Sequence, residues 1–570
     1  MRARLAAVLA ALARDPLAWI LLAAAAMRLT GLFWGLPASD GWDDDGFAPR
    51  NFLTALALTW TPGSFFTYPP LHAVLLAIPS LPVAGWALAH AASLHQHDVI
   101  AEITRPGYMT YFAVVARLVN LAMSLGIIWC VGAMARAIAP ARARLLAAGA
   151  AALNMSLVYY GQAGNLDVPY LFWSCLALLA AMRAIAEHDT RRIWHAALLA
   201  AAAVATKDQA YAVFLLSLPA VLLLWFAADD WPRRNARQVI VTLSLAAATA
   251  AIAWLLVDGA ITNSSGFAKR IAFLTGPASG DYAAYAHTWA GWRDLLADMA
   301  DWFAAGYAAP ASLLAAGGLW LAVSRRADRG AWVAGLLPAL AILSFTVCFN
   351  FVALRTDARF LMPQGVLACV YIGMAADWLL ALPRPRALAG GTLLLAAALW
   401  ALHFCIAVEA AMLRDPRYDA ERWMAAHVRP GDRIETYGQN AYLPRFPQDA
   451  AIQRVGAGDL KARNPLPGVN ELRQPFDALA ARSPRFIVVS QWWMRHYTEP
   501  QSELGGRRSP SKVQQALFGD LRARRYFRAL RDGGLGYRLA HVSAPASGIW
   551  PEVHIHESLN EAIAIFERTP

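Results

Sequence analysis

Charge is scarce in this 570-residue chain: Asp, Glu, Lys and Arg make up 16% of it, against 58% hydrophobic residues and a mean hydropathy of +0.39. A water-soluble domain needs a polar skin over its core, so a balance this apolar excludes an ordinary soluble protein. Cysteine is scarcer still. The five present, Cys130, Cys175, Cys348, Cys369 and Cys405, all fall inside apolar runs, and their spacing matches no zinc or redox motif. Residues 414–570 contain none, so that tail must fold without disulfides in any compartment. The tail also lacks any apolar run long enough to cross a bilayer, and no internal repeat is visible along the chain.

Apolar stretches of roughly 20 residues, enough helix for about 30 Å of hydrocarbon, recur from residue 16 to about 409. Spans are expected at about 16–36, 109–137, 144–161, 168–186, 193–206, 210–228, 237–257, 303–323, 331–353, 361–381 and 387–409. The first run could pass for a cleavable signal peptide with Ala23–Ala26 as its small-residue site. However, it continues to Leu36 and many spans follow, which favours an uncleaved helix.

The net charge of +11 would suit a nucleic-acid binder, but the positive residues sit in short loops between spans. Alternate loops hold Arg2, Arg4 and Arg14; Arg136, Arg142 and Arg144; Arg183, Arg191 and Arg192; Arg233, Arg234 and Arg237; Arg325, Arg326 and Arg329; and Arg384 and Arg386. That set should be cytoplasmic. About eleven spans then put the N-terminus inside and the tail outside. Residues 68–90 are apolar enough for a further span, but counting them would reverse every later loop. Pro69, Pro70, Pro79 and Pro82 also argue against a straight spanning helix. Residues 37–108 therefore read as one long outer loop with interfacial helices.

The expected fold is a polytopic α-helical membrane protein, residues 1–410, with a C-terminal extracytoplasmic α/β domain, residues 411–570. In that tail, 415–428 has amphipathic helical spacing, and 433–438 and 485–490 read as short strands. QWWMRHY (491–497) is either a surface that meets lipid or sugar, or a packed aromatic edge.

Polar chemistry concentrates on the outer side of that topology. The run SDGWDDDGF contains Asp40, Asp43, Asp44 and Asp45 a few residues beyond the first span, flanked by Trp42 and Phe47. Adjacent carboxylates repel, so one should hold its proton more tightly unless a cation compensates. That suits a general base or a metal ligand, and the plain alternative is a solvated acidic turn. Tyr68 and His72 belong to TYPPLH, an extended lead into a helix, where His72 can equally be structural. Arg28 and Arg117 lie within spans, where a guanidinium faces a polar cavity or an anion, or snorkels. Asn165 and Asp167 sit in GQAGNLDVPY, where Asp167 can cap the next helix. Lys207 and Asp208 share a tight turn and can pair with each other. Arg355 and Arg359, flanking Asp357, would share one helical face as an anion clamp, or form an interfacial charge pair.

Taken together, these elements resemble the GT-C superfamily of membrane glycosyltransferases, in particular the family 39 group of protein O-mannosyltransferases and aminoarabinose transferases. The resemblance covers about residues 10–410. It rests on the acidic motif after the first span, Pro69-Pro70-Leu71 in the same loop and Arg117 early in the second span. Asp167-Val168-Pro169 and Arg359-Phe360-Leu361-Met362-Pro363, each opening a later span, complete it.

The resemblance implies inverting transfer of a sugar from a polyprenyl-phosphate donor to a lipid, glycan or protein acceptor on the outer face. It implies Asp44 as the base, with Asp43 and then Asp45 as alternatives, because three aspartates replace the usual Asp-Glu. Arg117, Lys207, Arg355 and Arg359 become candidates for the donor phosphate, and Tyr68, His72, Asn165 and Asp167 for other substrate contacts. Tyr68 stands where aminoarabinose transferases carry lysine, which counts against that substrate. The resemblance fixes no cofactor, and a divalent cation at Asp43, Asp44 and Asp45 is conceivable. Membrane lipids are expected partners and nucleic acid is not. The Ala- and Arg-rich composition points to a bacterial inner membrane. The competing readings are a transporter or flippase of polyprenyl-linked lipids, for which paired halves are missing, and a non-catalytic scaffold.

Overall fold

The computed structural model describes residues 15–325, 328–456, 466–500, 504, 506–545, 548, 550–553 and 555–569. Arg2, Arg4, Arg14 and Arg326 of the basic set lie outside them. Eight helices among the described residues are long and apolar enough to cross a membrane: Leu71–His90, Pro106–Ile138, Asp167–Ala186, Asp208–Ala228, Ala236–Val257, Arg329–Ala353, Met362–Leu380 and Arg384–His427. Trp289–Gly306 and Pro310–Ser324 form a sharply bent ninth candidate. Large apolar side chains point outward along this bundle, as in Leu223 at 73% exposure and Leu399 at 56%, the reverse of a soluble surface. The chain is a polytopic helical membrane protein.

Several expected spans take other forms. The first helix is Pro16–Leu29, capped by the Asp15 carboxylate. The stretch at 144–161 breaks where the Asn154 side chain caps a new helix, giving Ala141–Ala152 and Met155–Tyr160. Arg191–Val204 has 14 residues, short for a membrane crossing. The helix Leu71–His90 is continuous through Pro79 and Pro82.

Small residues let the central helices approach closely. A Cβ on Gly373 would fall 2.6 Å from that of Ala147, and one on Gly318 would fall 1.9 Å from the Tyr371 carbonyl oxygen. Polar contacts then separate the bundle's two ends. At one end Arg144 pairs with Asp15 at 3.3 Å, Arg142 with Asp377 at 2.8 Å and His188 with Asp229 at 2.7 Å. There Arg329 also donates to the Ala228 carbonyl at 3.2 Å. At the other end Asp167 meets Lys207, and Arg270 bridges Asp208 and Asp258. Each end joins loops that the arginine pattern places on one side.

The tail is an α/β domain, as expected. Its strands are β1 (Arg433–Thr436), β2 (Ala451–Gly456), β3 (Val469–Arg473), β4 (Phe486–Ser490), β5 (Tyr537–Ser543) and β6 (Ile563–Arg568). They form one sheet in the order β3-β2-β1-β4-β6-β5, with β6 alone antiparallel to its neighbours. Helices Pro416–His427 and Leu521–Arg531 cover the sheet with Ala420 and Met424 and with Tyr526, Phe527 and Leu530. In QWWMRHY, Trp492 and Trp493 pack against Phe518, so it is a packed edge. Asn263, which opens the triplet Asn263-Ser264-Ser265, is buried, and its amide donates to the carbonyls of Thr59 and Ser64.

Candidate active site

The acidic run folds as a tight turn. The Gly46 N–H donates to the Asp43 carbonyl at 2.9 Å, and the Asp45 N–H to Asp43 Oδ1 at 3.1 Å. The turn is fixed from below, because Phe47 and Ala48 both donate to the Gly164 carbonyl, at 2.7 and 3.1 Å. Gly164 is held in turn by the Asn120 amide, which donates to the carbonyls of Ala163 and Asn165 at 2.6 and 2.8 Å. Trp42 anchors the other side. It lies beneath the Arg417 guanidinium, 4.1 Å away, and its ring occupies the space a Cβ on Gly35 would need.

The C-terminal domain closes over this turn. The Asn440 amide donates to Asp40 at 3.0 Å, the Tyr442 hydroxyl to Asp44 at 3.3 Å, and His556 Nε2 lies 2.9 Å from Asp45. Asn440 and Tyr442 follow the carboxyl end of β1, beside the point where the strand order reverses between β1 and β4. Open α/β sheets bind ligands in such a crevice. The turn and this edge enclose a cavity of about 190 Å³ lined by Asp40, Asp43, Asp44, Arg50, Asn51, Gln439 and Asn440, among others.

The three central aspartates differ sharply. Asp45 forms an ion pair with Arg359 and meets His556. Burial alone would raise its proton affinity, but the two cations overcome that and hold the carboxyl well below the usual range. Asp43 is buried, with Oδ1 used by its own turn and Oδ2 lacking a hydrogen-bond partner. Burial pushes its carboxyl up, with Asp45 adding to the effect and His556 and Arg117 opposing it. Asp44 is exposed, yet it opens into a concave cleft walled by protein. That enclosure, with Asp45 and Asp43 nearby, pushes its carboxyl up to about 6.

The expected cations are placed as follows. Helix Arg329–Phe345 passes into a π turn, Thr346–Asn350, and ends at Leu354 with φ +47°. The Asn350 amide, itself held by Gln364, donates to the Arg355 carbonyl at 3.0 Å. Residues 355–361 are therefore a fixed loop and not the helical face expected. Arg355 and Arg359 nonetheless meet on one ring, with guanidinium carbons 4.8 and 4.5 Å from the Phe360 centroid. Arg359 is committed to Asp45. Arg355 is half-buried over Phe360 and Tyr282 with no ion pair to a carboxylate among the described residues. Burial and the neighbouring Arg359 both lower its proton affinity.

Lys207 pairs with Asp167 at 2.7 Å, and Asp208 turns to Arg270 instead, so the expected Lys207–Asp208 pair does not form. Asp167 is not a cap: its N–H donates to the Asn165 side-chain oxygen at 3.2 Å, while its own carboxylate accepts from Lys207 and Gln209. Arg117 is buried, donates to the Leu32 carbonyl at 2.6 Å and sits near Asp43. Arg28 lies elsewhere, among the Ala24 and Ala152 carbonyls. Tyr68 and His72 pack on Phe47 directly behind the acidic turn, at 5.8 and 6.1 Å between ring centroids.

The site does not suit a divalent cation. Asp45 already lies between two cations, and no cluster of three or more His, Cys, Asp or Glu side chains among the described residues is arranged for a metal.

Fold and site together define a polytopic helical membrane protein whose C-terminal α/β domain is closed over an acidic turn. No family model and no curated protein matches the chain. Solved structures resemble its overall path. ArnT from Cupriavidus metallidurans bound to undecaprenyl phosphate is 15% identical over 84% of this chain and 94% of its own, with a TM-score of 0.48. The oligosaccharyltransferase AglB from Archaeoglobus fulgidus, in complex with an inhibitory peptide and a dolichol-phosphate, is 14% identical over 93% and 79%, with a TM-score of 0.43. The arabinofuranosyltransferase AftD from Mycobacteria is 14% identical over 97% and 41%, with a TM-score of 0.38. Likeness of this degree concerns chain path and transfers no residue role.

Proposed function

We propose that the protein is an inverting glycosyltransferase of the GT-C type, using a polyprenyl-phosphate sugar as donor and a hydroxyl-bearing lipid, glycan or protein as acceptor. One observation carries this reading. Of the three central aspartates, Asp44 lines the polar cavity with no ion pair among the described residues, and its proton affinity lies near neutrality. A carboxylate so placed can take a proton at physiological pH.

The acceptor hydroxyl gives its proton to Asp44 as its oxygen bonds to the anomeric carbon. The bond from that carbon to the phosphate oxygen breaks on the opposite face, inverting the centre. Charge then builds on the leaving phosphate. Arg355, in no ion pair with a carboxylate among the described residues and one aromatic ring away from Arg359, is the group best placed to meet it, through a planar fork that matches phosphate. Arg117 and Lys207 hold the walls, since each already has a partner in the fold. The arginine-rich end of the bundle is cytoplasmic in this reading, and the acidic turn and α/β domain face the periplasm of a bacterial cell.

Phosphate capture tests the donor half directly. Wild-type protein in detergent should bind undecaprenyl phosphate, and Arg355→Ala should weaken that binding by at least tenfold, about 1.5–3 kcal/mol for a charged hydrogen bond. Equal affinity of the two proteins would remove Arg355 from the site.

A further inference from the structure

Strands β5 and β6 are antiparallel neighbours, yet residues 544–562 separate them. A hairpin needs only a few residues there, and a connection this long inside a compact domain has a role of its own. Its described part leaves the α/β domain altogether. Val553, Ile555 and Leu559 are buried in the main core of the membrane bundle, and Trp550 packs on His403 at 5.3 Å. Arg417 clamps the base of this arm by donating to the Ser558 carbonyl at 2.6 Å while paired with Asp415.

His556 sits at the tip of the arm. Its Nε2 is 2.9 Å from Asp45 and 3.9 Å from Asp43, and its ring stacks on Tyr159 at 5.9 Å. On the far side Nδ1 lies 2.8 Å from the Ser558 hydroxyl oxygen and 3.2 Å from the Ser558 backbone nitrogen. The hydroxyl can accept from an Nδ1–H, whereas the Ser558 backbone N–H can donate only to a bare Nδ1, so it is the two carboxylates facing Nε2, and not Ser558, that argue for the charged ring. Arg359 reaches the same Asp45 carboxylate from the loop that follows the π turn, Arg117 approaches Asp43 from the helix Pro106–Ile138, and Tyr442 holds Asp44 from the turn that follows β1.

We propose that His556, carried on this arm, is a positioning residue for the acidic run. As an imidazolium between Asp45 and Asp43 it fixes their charge and leaves Asp44 as the carboxylate that takes the proton. Burial opposes the charged ring, but Asp45 and Asp43 outweigh burial and push its proton affinity up to about 9. The same positive charge lowers the proton affinity of Asp44, keeping that group ionised at neutral pH. The membrane bundle thus supplies the base and the α/β domain sets its charge state. The catalytic consequence rests on the glycosyl-transfer reading, whereas the electrostatic relation does not.

The test uses full-length wild type, His556→Gln and His556→Lys. In Gln the acid limb of the transfer rate should move up by about one pH unit, because Asp44 loses a stabilising cation, while Lys keeps the wild-type limb. The relation is also read without substrate, by infrared titration of the protonated-carboxyl band that Asp44→Asn removes. The Gln variant should shift that band upward. If the infrared shift occurs but the wild type transfers no sugar, the glycosyl-transfer reading fails and the role of His556 stands. If Gln titrates with wild type, or Lys follows Gln, the proposal is overturned. Should the Gln variant fail to assemble, nitrogen NMR of histidine-labelled wild type at about pH 8 decides, well above the ordinary imidazole range. A ring still carrying both protons supports the proposal, and only neutral rings overturn it.

Discussion

Asp44 and Asp45 are adjacent in sequence and electrostatically opposite, one facing a polar cleft and the other held between Arg359 and His556. The carboxylate run itself is legible in the sequence, because side-by-side acids at a membrane surface invite a chemical role. The register within it is not. It depends on Tyr442 and His556, which lie 398 and 511 residues away and follow no spacing rule. Lys207 teaches the same lesson, since its partner is Asp167 and not its neighbour Asp208. Asp208 belongs instead to a buried trio in which Arg270 reaches both Asp208 and Asp258. Burial pushes the Asp258 carboxyl up to about 7 even with Arg270 present. Arg270→Ala leaves two buried carboxylates without a cation, so it should cost about 3–5 kcal/mol of stability. Thermal or denaturant unfolding in detergent measures this, and an unchanged midpoint would contradict it.

Among the elements, the tail was the most legible. The segments at 415–428, 433–438 and 485–490 became a helix and two neighbouring strands, because period and β-branched content agree with the fold there. The arm at 544–562 was not, since nothing local tells a loop that it will end in another domain's core. Nor was the break at Asn154, where side-chain capping overrides apolar continuity.

The helix Leu71–His90 is the element on which topology turns. It is long and apolar enough to cross a membrane. Yet Pro79 accepts from Tyr111, and Leu76 shares a cluster with Met109 and Phe112, in the first two turns of a 33-residue helix. That helix is about 50 Å long at 1.5 Å per residue, so its first turns project beyond the hydrocarbon. Arg117, further along it, is level with Leu32 just past the end of the first helix. The outer-loop reading therefore predicts that Thr61→Cys and Leu94→Cys, exposed on either side of Leu71–His90, react with an impermeant thiol reagent from the same side of the membrane. Labelling from opposite sides would make the helix a span and reverse the orientation of every later loop.

At the scale of the whole molecule, two bodies of different physics share one site. The bundle turns apolar side chains to lipid and gathers its charges at two ends, and its acidic end would be an open pocket without the α/β domain. That domain brings Asn440, Tyr442 and His556 to the turn, through the carboxyl edge of its sheet and an inserted arm. Class, bundle and tail fold could be read from composition and periodicity. The closure could not, because it joins segments separated by nearly the whole chain. The central claim is that this closed acidic turn transfers sugar with Asp44 as its base, and the most direct measurement compares Asp43→Asn, Asp44→Asn and Asp45→Asn in a transfer assay with labelled polyprenyl-phosphate sugars. Asp44→Asn should lose about 10²–10⁴-fold in rate while the protein remains folded, and wild-type activity should fall as pH drops through about 6. Wild-type rates in all three folded variants would contradict the account.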